Sequence, residues 1–377
     1  MRKTDTKHDY PLIIVTKQLE AEPTGGRELL CKLNYDVLLH IYGKQLTLME
    51  LPILPCKRAL DILNAFRGHI DGLDADMISS IIKSIRETGA TKVFVDGSNL
   101  GGFVITLKKT LPEIEITTFF HNVESRFFLG SFRQRKSLRA IAVLAANYLA
   151  ERKSVNYSDK IICLNQRDSL LLNKVYGRGA THIAPMALED KMENRFDAQQ
   201  ETHGELFALF VGGTFYANQS GITWFVKNVV PHINIRICIV GRGFEKLHDE
   251  LEVPGKVEVI GAVDSLDEWY RRARFVIAPI FDGSGMKTKV AEALMFGKKI
   301  IGTPEAFTGY EDISGEAGWV CNTVDEFVLA IEQANIEVQS SFDSSLRNLY
   351  EQNYSFNAAV EQYKSILIAP EDSLQNV

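Results

Sequence analysis

The chain has 377 residues, of which 45% are hydrophobic and 24% are charged, and its formal net charge is -6. This composition is typical of a globular protein, and the negative charge argues against a molecule that binds nucleic acid as a whole. The length exceeds what one hydrophobic core usually serves, so two domains are predicted.

The cysteines and the N-terminus bear on the cellular compartment. The five cysteines are scattered and never form the CxxC spacing of a metal or redox site, which favours reduced thiols. The polar start "MRKTDTKHDY" leads directly into "PLIIVT", without the apolar core of a signal peptide. No stretch reaches the roughly 18 apolar residues of a membrane-spanning helix. We therefore expect a cytoplasmic protein, either free or peripheral on the cytoplasmic face of the membrane.

Short apolar runs alternate with helix-length amphipathic segments through the first half of the chain. The segment 74–89, "DADMISSIIKSIRETG", carries isoleucines at helical spacing and ends at a glycine, and its acidic start reads as a helix cap. The alternation indicates a parallel sheet with crossover helices. The strands are predicted at 12–16, 45–51, 92–96, 114–120, 159–164 and 181–185.

The second half repeats this alternation after a charged stretch at 188–205, which lacks a hydrophobic period and is interpreted as a linker. Two tandem α/β domains, 1–187 and 206–354, fit the pattern better than one large sheet. Residues 355–377 are predicted to form a helix and a frayed tail, with packing against the first domain as one option. The second set of strands is predicted at 206–212, 235–241, 257–263, 275–280, 299–303 and 318–322.

The stretch 282–303, "DGSGMKTKVAEALMFGKKIIGT", predicts a glycine loop, a helix and a strand. Gly283 and Gly285 leave room for a phosphate at the helix start, where unpaired N–H groups and the helix dipole favour an anion. Glu292 follows about six residues into the helix, roughly 9 Å from its start. A phosphate at one end and a vicinal diol at the other describe a nucleoside diphosphate. The alternative is a plain turn followed by a solvated surface glutamate.

At these residues the chain resembles the GT-B glycosyltransferases of group 1, also called family 4. "EALMFGKKIIGT" is similar to the second half of their donor-binding signature, and the resemblance extends over most of 206–335 through "LFVGGTFYANQSGITWF", "ICIVGRG" and "TGYE". It implies a GT-B fold: two tandem Rossmann-like domains with a cleft between them, an acceptor-side domain first and a nucleotide-sugar-binding domain second. It implies a catalytic, ribose-binding role for Glu292. The implied donor-binding residues at the helix start are Gly283, Ser284, Gly285, Met286, Lys287 and Thr288.

Two departures from the family pattern concern the donor sugar and the diphosphate. Ser284 stands where the first Glu of the signature is expected, so the carboxylate that holds donor-sugar hydroxyls is absent. The Arg and Lys that relatives place after the first strand of the second domain are also missing. Lys287 or Arg242 is expected to supply that charge instead.

The first domain resembles the family more weakly. "TGGRELL" (24–30) matches a glycine loop that approaches the donor diphosphate, which implies a donor contact for Gly25 and Gly26. "FFHNVES" (119–125) matches the loop that presents a His to the donor sugar, which implies a catalytic role for His121. The alternatives are a tight turn for the glycines and a capping or packing role for the histidine.

The implied reaction transfers a sugar from a UDP- or GDP-linked donor to a saccharide or lipid-linked saccharide, as in surface polysaccharide biosynthesis. Helix-start amides and Lys287 would stabilise the departing diphosphate, so neither a metal nor a further cofactor is expected. The family implies retention of anomeric configuration. Glu124 and Asp96, which follow predicted strands, are candidate bases for an inverting route, with an ordinary loop acid as the plainer interpretation.

The segment 125–153 combines aromatic and basic residues, a pairing that suits an anionic membrane surface carrying a lipid-linked acceptor. A core helix with a solvated basic face is the alternative. The residues concerned are Phe127, Phe128, Leu129, Phe132, Arg133, Arg135, Lys136 and Arg139.

Three other functions stay open at this point. A GT-B sugar-nucleotide epimerase shares the fold, although Ser284 removes one of the acids that such chemistry needs. A catalytically silent nucleotide-sugar-binding protein is compatible with the same departure. A nicotinamide-dependent dehydrogenase is disfavoured, because Lys246 occupies the third glycine position of the GxGxxG pattern that begins at Gly241.

Overall fold

The computed structural model describes residues 10–21, 25–52, 65, 66, 68, 70–134, 136–192, 206–283, 285–338, 340 and 342–368. The chain divides into two compact units. The first comprises Met1–Met186 and Ala359–Val377, and the second comprises Ala187–Ala358. Each unit has α/β architecture and contains a six-stranded sheet.

The first sheet has the strand order β2-β1-β3-β4-β5-β6, and all its pairings are parallel. The direction in which successive strands are added reverses between β1 and β3: β2 lies on one side of β1, and β3 to β6 lie on the other. Its elements are β1 (Leu12–Lys17), α1 (Gly26–Tyr42), β2 (Leu46–Leu51), α2 (Ala75–Thr88), β3 (Lys92–Asp96), α3 (Gly101–Thr110), β4 (Glu115–Phe120), α4 (Glu124–Gln134), α5 (Leu138–Tyr157), β5 (Lys160–Cys163), α6 (Gln166–Tyr176) and β6 (His182–Ile183).

The second sheet has the strand order β12-β11-β10-β7-β8-β9, again with parallel pairings only. From β7 onward, the elements in chain order are β7 (Phe207–Val211), α7 (Tyr216–Asn228), β8 (Arg236–Val240), α8 (His248–Leu251), β9 (Val257–Gly261), α9 (Asp267–Arg272), β10 (Phe275–Ala278), α10 (Thr288–Met295), β11 (Ile300–Gly302), α11 (Ser314–Ala317), β12 (Gly318–Val320), α12 (Val324–Glu337), α13 (Ser344–Asn353) and α14 (Phe356–Leu367).

The central strands are continuous apolar runs because helices cover both faces of a parallel sheet. Leu12 to Val15 of β1 and all residues of β7 are buried. The helix predicted at 74–89 is confirmed: Asp74 caps α2 by accepting a 2.8 Å hydrogen bond from the Met77 amide. Gly89 ends this helix in the left-handed conformation.

The stretch predicted as a linker begins inside the second unit. The Leu188 amide donates a 2.8 Å hydrogen bond to the Tyr354 carbonyl, and Asp190 pairs with Arg347 of α13. Residues 188–192 therefore pack on the second unit. Residues 193–205 lie outside the described part of the chain.

The C-terminal helix α14 contributes to the first unit from Ala359 onward. The Tyr363 hydroxyl donates to Asn34 Oδ1, and the Tyr363 ring lies 5.9 Å from that of Phe94. Lys92 and Lys160 donate to carbonyl groups at the end of this helix. Among the described residues, none of the helices has the length and apolarity to cross a membrane.

Candidate active site

The candidate site lies at the edge of the second sheet where the strand order reverses. β7 continues to β8 on one side of this point, and β10 continues to β11 on the other. Residues 212–215 follow the carboxyl end of β7, and residues 279–287 follow that of β10. Ligands of doubly wound sheets bind beyond the carboxyl ends of the strands at such a reversal.

The loop before α10 is shaped by two glycines. Gly283 has a φ of +144° and Gly285 a φ of +65°, which residues with side chains rarely adopt. Lys287 stands at the cap position of α10 without a side-chain cap bond. The first N–H groups of a helix have no intrahelical partner and carry the positive end of its dipole. This helix start thus suits an anionic group, although Ser284 lies outside the described residues.

The three residues at the helix start have different surroundings. Met286 is buried against Gly309, where an added Cβ would lie 2.5 Å from Met286 Cγ. Thr288 is half-buried and begins α10. Lys287 Nζ lies 3.0 Å from Glu305 Oε1, so a carboxylate compensates the charge of this lysine.

Glu292 lies on α10 and is held by a tyrosine of α9. The Tyr270 hydroxyl donates a 2.8 Å hydrogen bond to Oε2 of this half-buried glutamate. Burial and the Glu292 carboxylate raise the pKa of Tyr270 well above its usual value, so the phenol remains a donor. The Tyr270 ring stacks on Phe296 with 5.0 Å between centroids. A carboxylate has about four acceptor positions, so Glu292 keeps acceptors for further hydroxyl groups.

Lys289 belongs to α10, one turn before Glu292, and is buried. Its ammonium reaches the end of β7. The residue is 6% exposed, and burial lowers the pKa of its ammonium to about 7. Its Nζ donates a 2.9 Å hydrogen bond to Asn218 Oδ1 and lies 4.4 Å from the centroid of the Phe210 ring. A Cβ on Gly212 would lie 3.2 Å from this nitrogen. The ammonium therefore lies against the backbone of the loop that follows β7.

Arg242 belongs to the loop after β8 and is exposed. Its carbonyl accepts a 3.2 Å hydrogen bond from the Thr214 amide, which joins this loop to the loop after β7. No hydrogen bond or ion pair of its guanidinium to another described residue is present. Arg242 thus brings an uncompensated positive charge to the carboxyl edge of the same sheet.

His121 lies in the first unit, beyond β4, and contacts a carboxylate. Its Nε2 is 2.9 Å from Oδ1 of Asp96, which also accepts a 2.7 Å bond from Asn34, while Oδ2 accepts a 2.7 Å bond from Thr16. Burial raises the pKa of Asp96, but His121 and these donors hold it below its usual value. Asp96 is fully committed to this buried network, which makes it a poor general base.

Cys31 completes a group that is chemically able to hold a metal ion. Its Sγ lies 3.7 Å from His121 Nε2, and the ligand atoms of Cys31, Asp96 and His121 lie within 4.8 Å of one another. Burial raises the pKa of the Cys31 thiol, which disfavours the thiolate that a metal requires. The hydrogen bonds to Asp96 satisfy its carboxylate without a cation.

The glycine pair at the start of α1 has an acidic neighbour. Gly25 is the cap residue, and a Cβ there would lie 2.1 Å from Glu28 Oε2. Glu28 forms an ion pair with Lys17. Gly26 is exposed, with nothing within 4 Å of an added Cβ. The atom nearest to an added Cβ at Gly25 is thus the tip of a flexible side chain, so space requires a glycine at neither position.

Glu124 is a buried acid at the start of α4. It is 8% exposed, and burial raises the pKa of its carboxyl to about 7 against the opposing charge of Arg27. The carboxylates of Glu151 and Asp71 raise it further. Arg27 itself pairs with Asp71 at 2.6 Å. A carboxyl with a pKa of about 7 suits a general base at neutral pH.

A cavity of about 420 Å³ lies elsewhere in the second unit, at the amino-terminal end of β11, and Gly297, Lys299 and Trp319 are among its lining residues. Because ligands of doubly wound sheets bind at the opposite ends of the strands, this cavity is not the candidate site.

Comparison with known protein families bears on the second unit. Residues 206–335 match the family described as Glycosyl transferases group 1. The match spans about a third of the chain, within the second unit. The matched residues include the loops after β7 and β10, Lys289 and Glu292. A search of curated proteins finds no match by sequence.

Solved structures extend the likeness in fold to nearly the whole chain. Sucrose-phosphate synthase from Thermosynechococcus elongatus has a TM-score of 0.69 at 14% identity, covering 96% of this chain and 100% of that one. HepE from Anabaena in complex with UDP has a TM-score of 0.65 at 12% identity, with coverages of 96% and 100%. WaaG, a glycosyltransferase involved in lipopolysaccharide biosynthesis, has a TM-score of 0.59 at 16% identity, with coverages of 95% and 100%. The predicted GT-B fold class is confirmed.

The residues predicted for the site fall into both units. The glycine loop, Lys287, Arg242 and Glu292 lie at one edge of the second sheet, whereas Gly25, Gly26 and His121 belong to the first unit. Sequence reasoning misses Tyr270 and Lys289. For the lysine a signal exists: a charged residue stands on the buried side of α10, among Val290, Ala293 and Leu294.

Proposed function

We propose that the chain transfers a sugar from a nucleoside diphosphate sugar to a saccharide or a lipid-linked saccharide. The observation that carries the proposal is the pairing of two features on α10. Its start suits a phosphate, and the Glu292 carboxylate, fixed by Tyr270, lies on the same helix four residues after Thr288. This is about 6 Å along the helix axis, shorter than the roughly 9 Å expected from the sequence, because the helix begins at Thr288. This arrangement matches the phosphate and ribose hydroxyls of one nucleotide.

UDP is the first donor nucleotide to test, and GDP the second. Two solved structures with this fold contain UDP or UDP-glucose bound to HepE. Those ligands belong to HepE, and they support a uridine nucleotide here only as a starting choice. No side chain in the described site identifies the base.

The proposed acceptor is a saccharide of surface polysaccharide biosynthesis. WaaG and WaaB, which share the fold, are named for lipopolysaccharide biosynthesis and the lipopolysaccharide outer core. The proposed reaction needs no metal ion and no further cofactor, because the helix start and nearby cations would stabilise the departing diphosphate. Retention of anomeric configuration belongs to the same proposal.

Peripheral contact with the cytoplasmic membrane face is part of the proposal. On α4 and α5, Phe127 is 36%, Leu129 37% and Leu138 86% exposed, and Arg139 is exposed beside them. Apolar groups with adjacent basic groups favour an anionic interface. The side chains of Arg133 and Arg135 lie outside the described residues.

Membrane contact is tested by co-sedimentation with vesicles of phosphatidylcholine, with and without phosphatidylglycerol. We expect binding to the anionic vesicles only, and a loss of binding in Leu138→Ser. Leu329→Ser is the matched control, because Leu329 is 58% exposed on α12 of the second unit. Equal sedimentation of both variants would contradict the contact.

The donor is tested by calorimetry with UDP, GDP, ADP, CMP and NAD on the wild type and Glu292→Ala. We expect one nucleoside diphosphate to bind, and the variant to lose most of that affinity. Release of this nucleotide from its sugar in the presence of acceptor would establish transfer. Binding without turnover would instead favour a silent nucleotide-sugar-binding protein, and isomerisation of the free donor an epimerase. Binding of NAD alone would refute the proposal.

A further inference from the structure

Among the described residues of the second unit, two lysines are buried, and their surroundings differ. Lys298 is 1% exposed, and its Nζ donates to the carbonyls of Arg271 at 2.9 Å and Ala273 at 2.7 Å. It precedes β11, at the amino end of the sheet. Carbonyl groups therefore satisfy this ammonium, and its role is explained by the fold.

Lys289 is buried to a similar extent but makes a single hydrogen bond to the described residues. That bond, of 2.9 Å, goes to the neutral amide oxygen of Asn218. An ammonium has three N–H donors. A buried cation that leaves donors unused costs folding free energy, so the fold alone gives no reason for a lysine at this position.

The charges around Lys289 do not neutralise it. Glu292 on the same helix favours the charged form, whereas Lys287 opposes it. The Glu292 carboxylate is engaged by Tyr270. The neighbours from α7 and β7, Asn218 and Phe210, are uncharged.

The position of this ammonium is next to the first glycine after β7. An added Cβ on Gly212 would lie 3.2 Å from Lys289 Nζ and 2.7 Å from Asn218 Nδ2. The loop after β7 and the greater part of α7, residues 212–226, contain neither Lys nor Arg, and Lys227 follows only in the last turn of the helix. Lys289 therefore extends from α10 to the end of β7. Its buried ammonium lies where the strand order of the sheet reverses.

We infer that the Lys289 ammonium binds the diphosphate of the donor, between the loop after β7 and the start of α10. The inference rests on the proposed function and adds a binding residue to it. The diphosphate supplies the acceptors and the negative charge that Asn218 and Phe210 do not. An anion at this nitrogen raises the lysine pKa from about 7, so donor binding takes up a proton at pH values above it.

The test compares the wild type, Lys289→Met and Lys298→Met. Calorimetry measures the affinity for UDP, or GDP if that nucleotide binds, and displacement measures the affinity for the corresponding nucleoside. For Lys289→Met we expect at least a tenfold loss of affinity for the diphosphate and less than a twofold change for the nucleoside. Lys298→Met controls for the removal of a buried ammonium and should bind the diphosphate as the wild type does, provided that its melting curve shows a folded protein.

A pH series separates this role from a structural one. Between pH 7 and pH 9 the affinity of the wild type for the diphosphate should fall as Lys289 loses its proton, whereas that of Lys289→Met should stay constant. A methionine that only loosened the fold would lower the melting temperature and leave the pH dependence unchanged. Equal diphosphate affinity in wild type and Lys289→Met would overturn the inference alone. Absence of any nucleotide binding by the wild type would overturn the proposed function and this inference with it.

Discussion

The hydroxyl of Tyr270 on α9 donates a 2.8 Å hydrogen bond to the carboxylate of Glu292 on α10. The bond crosses between two helices that lie on either side of β10 in the chain. It fixes one oxygen of the glutamate and leaves the other for ligand. Tyr270 thus orients the residue that is proposed to contact the donor.

Tyr270→Phe is expected to weaken donor binding while leaving the fold intact. The phenylalanine keeps the stacking on Phe296 but leaves Glu292 without its donor. A hydrogen bond to a charged group is worth about 1.5–3 kcal/mol, and an indirect effect is smaller, so a loss of about three- to tenfold in donor affinity is expected. Calorimetry measures it. A Tyr270→Phe variant with wild-type affinity would show that the carboxylate position does not depend on this bond.

Gly26→Ala tests whether the start of α1 approaches the donor. Since nothing lies within 4 Å of an added Cβ, the melting temperature should stay the same or rise, because alanine is favoured over glycine in helices by up to about 1 kcal/mol. If Gly26 faces the diphosphate, donor affinity falls several-fold. Gly130→Ala on α4, which has equal space, is the control. Unchanged affinity in both variants would remove Gly26 from the site.

Glu124→Gln is expected to change the pH dependence of stability. The folded chain keeps the Glu124 proton up to a pKa of about 7, whereas an unfolded glutamate releases it near 4.5. The wild type is therefore favoured below about pH 4.5, and this contribution is lost as the pH rises towards 7. Glutamine has no such titration, so the variant should gain melting temperature relative to the wild type between pH 5 and pH 8.

Calorimetric scans at both pH values measure this difference. Glu113→Gln, an exposed glutamate, is the control and should show no pH-dependent difference. A constant difference between Glu124→Gln and wild type would mean that Arg27 keeps Glu124 ionised throughout.

Sugar transfer is expected to be unaffected by EDTA, within about twofold. Both oxygens of Asp96 already accept hydrogen bonds, and the departing diphosphate has nearby cations and helix-start amides. An assay of nucleotide release before and after chelation measures this. Loss of activity restored by Zn²⁺ would indicate a metal at Cys31, Asp96 and His121, and restoration by Mg²⁺ or Mn²⁺ a metal on the diphosphate.

Local sequence signals are sufficient for most of the architecture. Buried runs such as 12–15 and Phe207–Val211 consist of apolar residues on both faces of the sheet, which is typical of a parallel strand. α2 is predicted because its isoleucine spacing, its cap and its final glycine agree. Glu292 is found because its distance from the glycine loop is a property of one helix.

The contacts that complete the site are not local. Tyr270 and Glu292 are 22 residues apart, and Asn218 and Lys289 are 71 apart. Helical spacing shows that Lys289 shares a face with apolar residues but not which group meets its nitrogen. Similarly, the position of His121 after a strand predicts a site at a sheet edge, yet only the fold shows that Asp96 engages its Nε2.

The assignment of α14 to the first unit has a consequence for biosynthesis. Tyr363 donates to Asn34, which in turn donates to Asp96, so residues 329 positions apart share one buried network. The ribosome makes Asn34 long before Tyr363. The second unit, Ala187–Ala358, is complete in sequence before the first one is. Of the two units, the first is therefore the last to close, and until then the nascent polypeptide leaves the α14-facing part of that core uncovered.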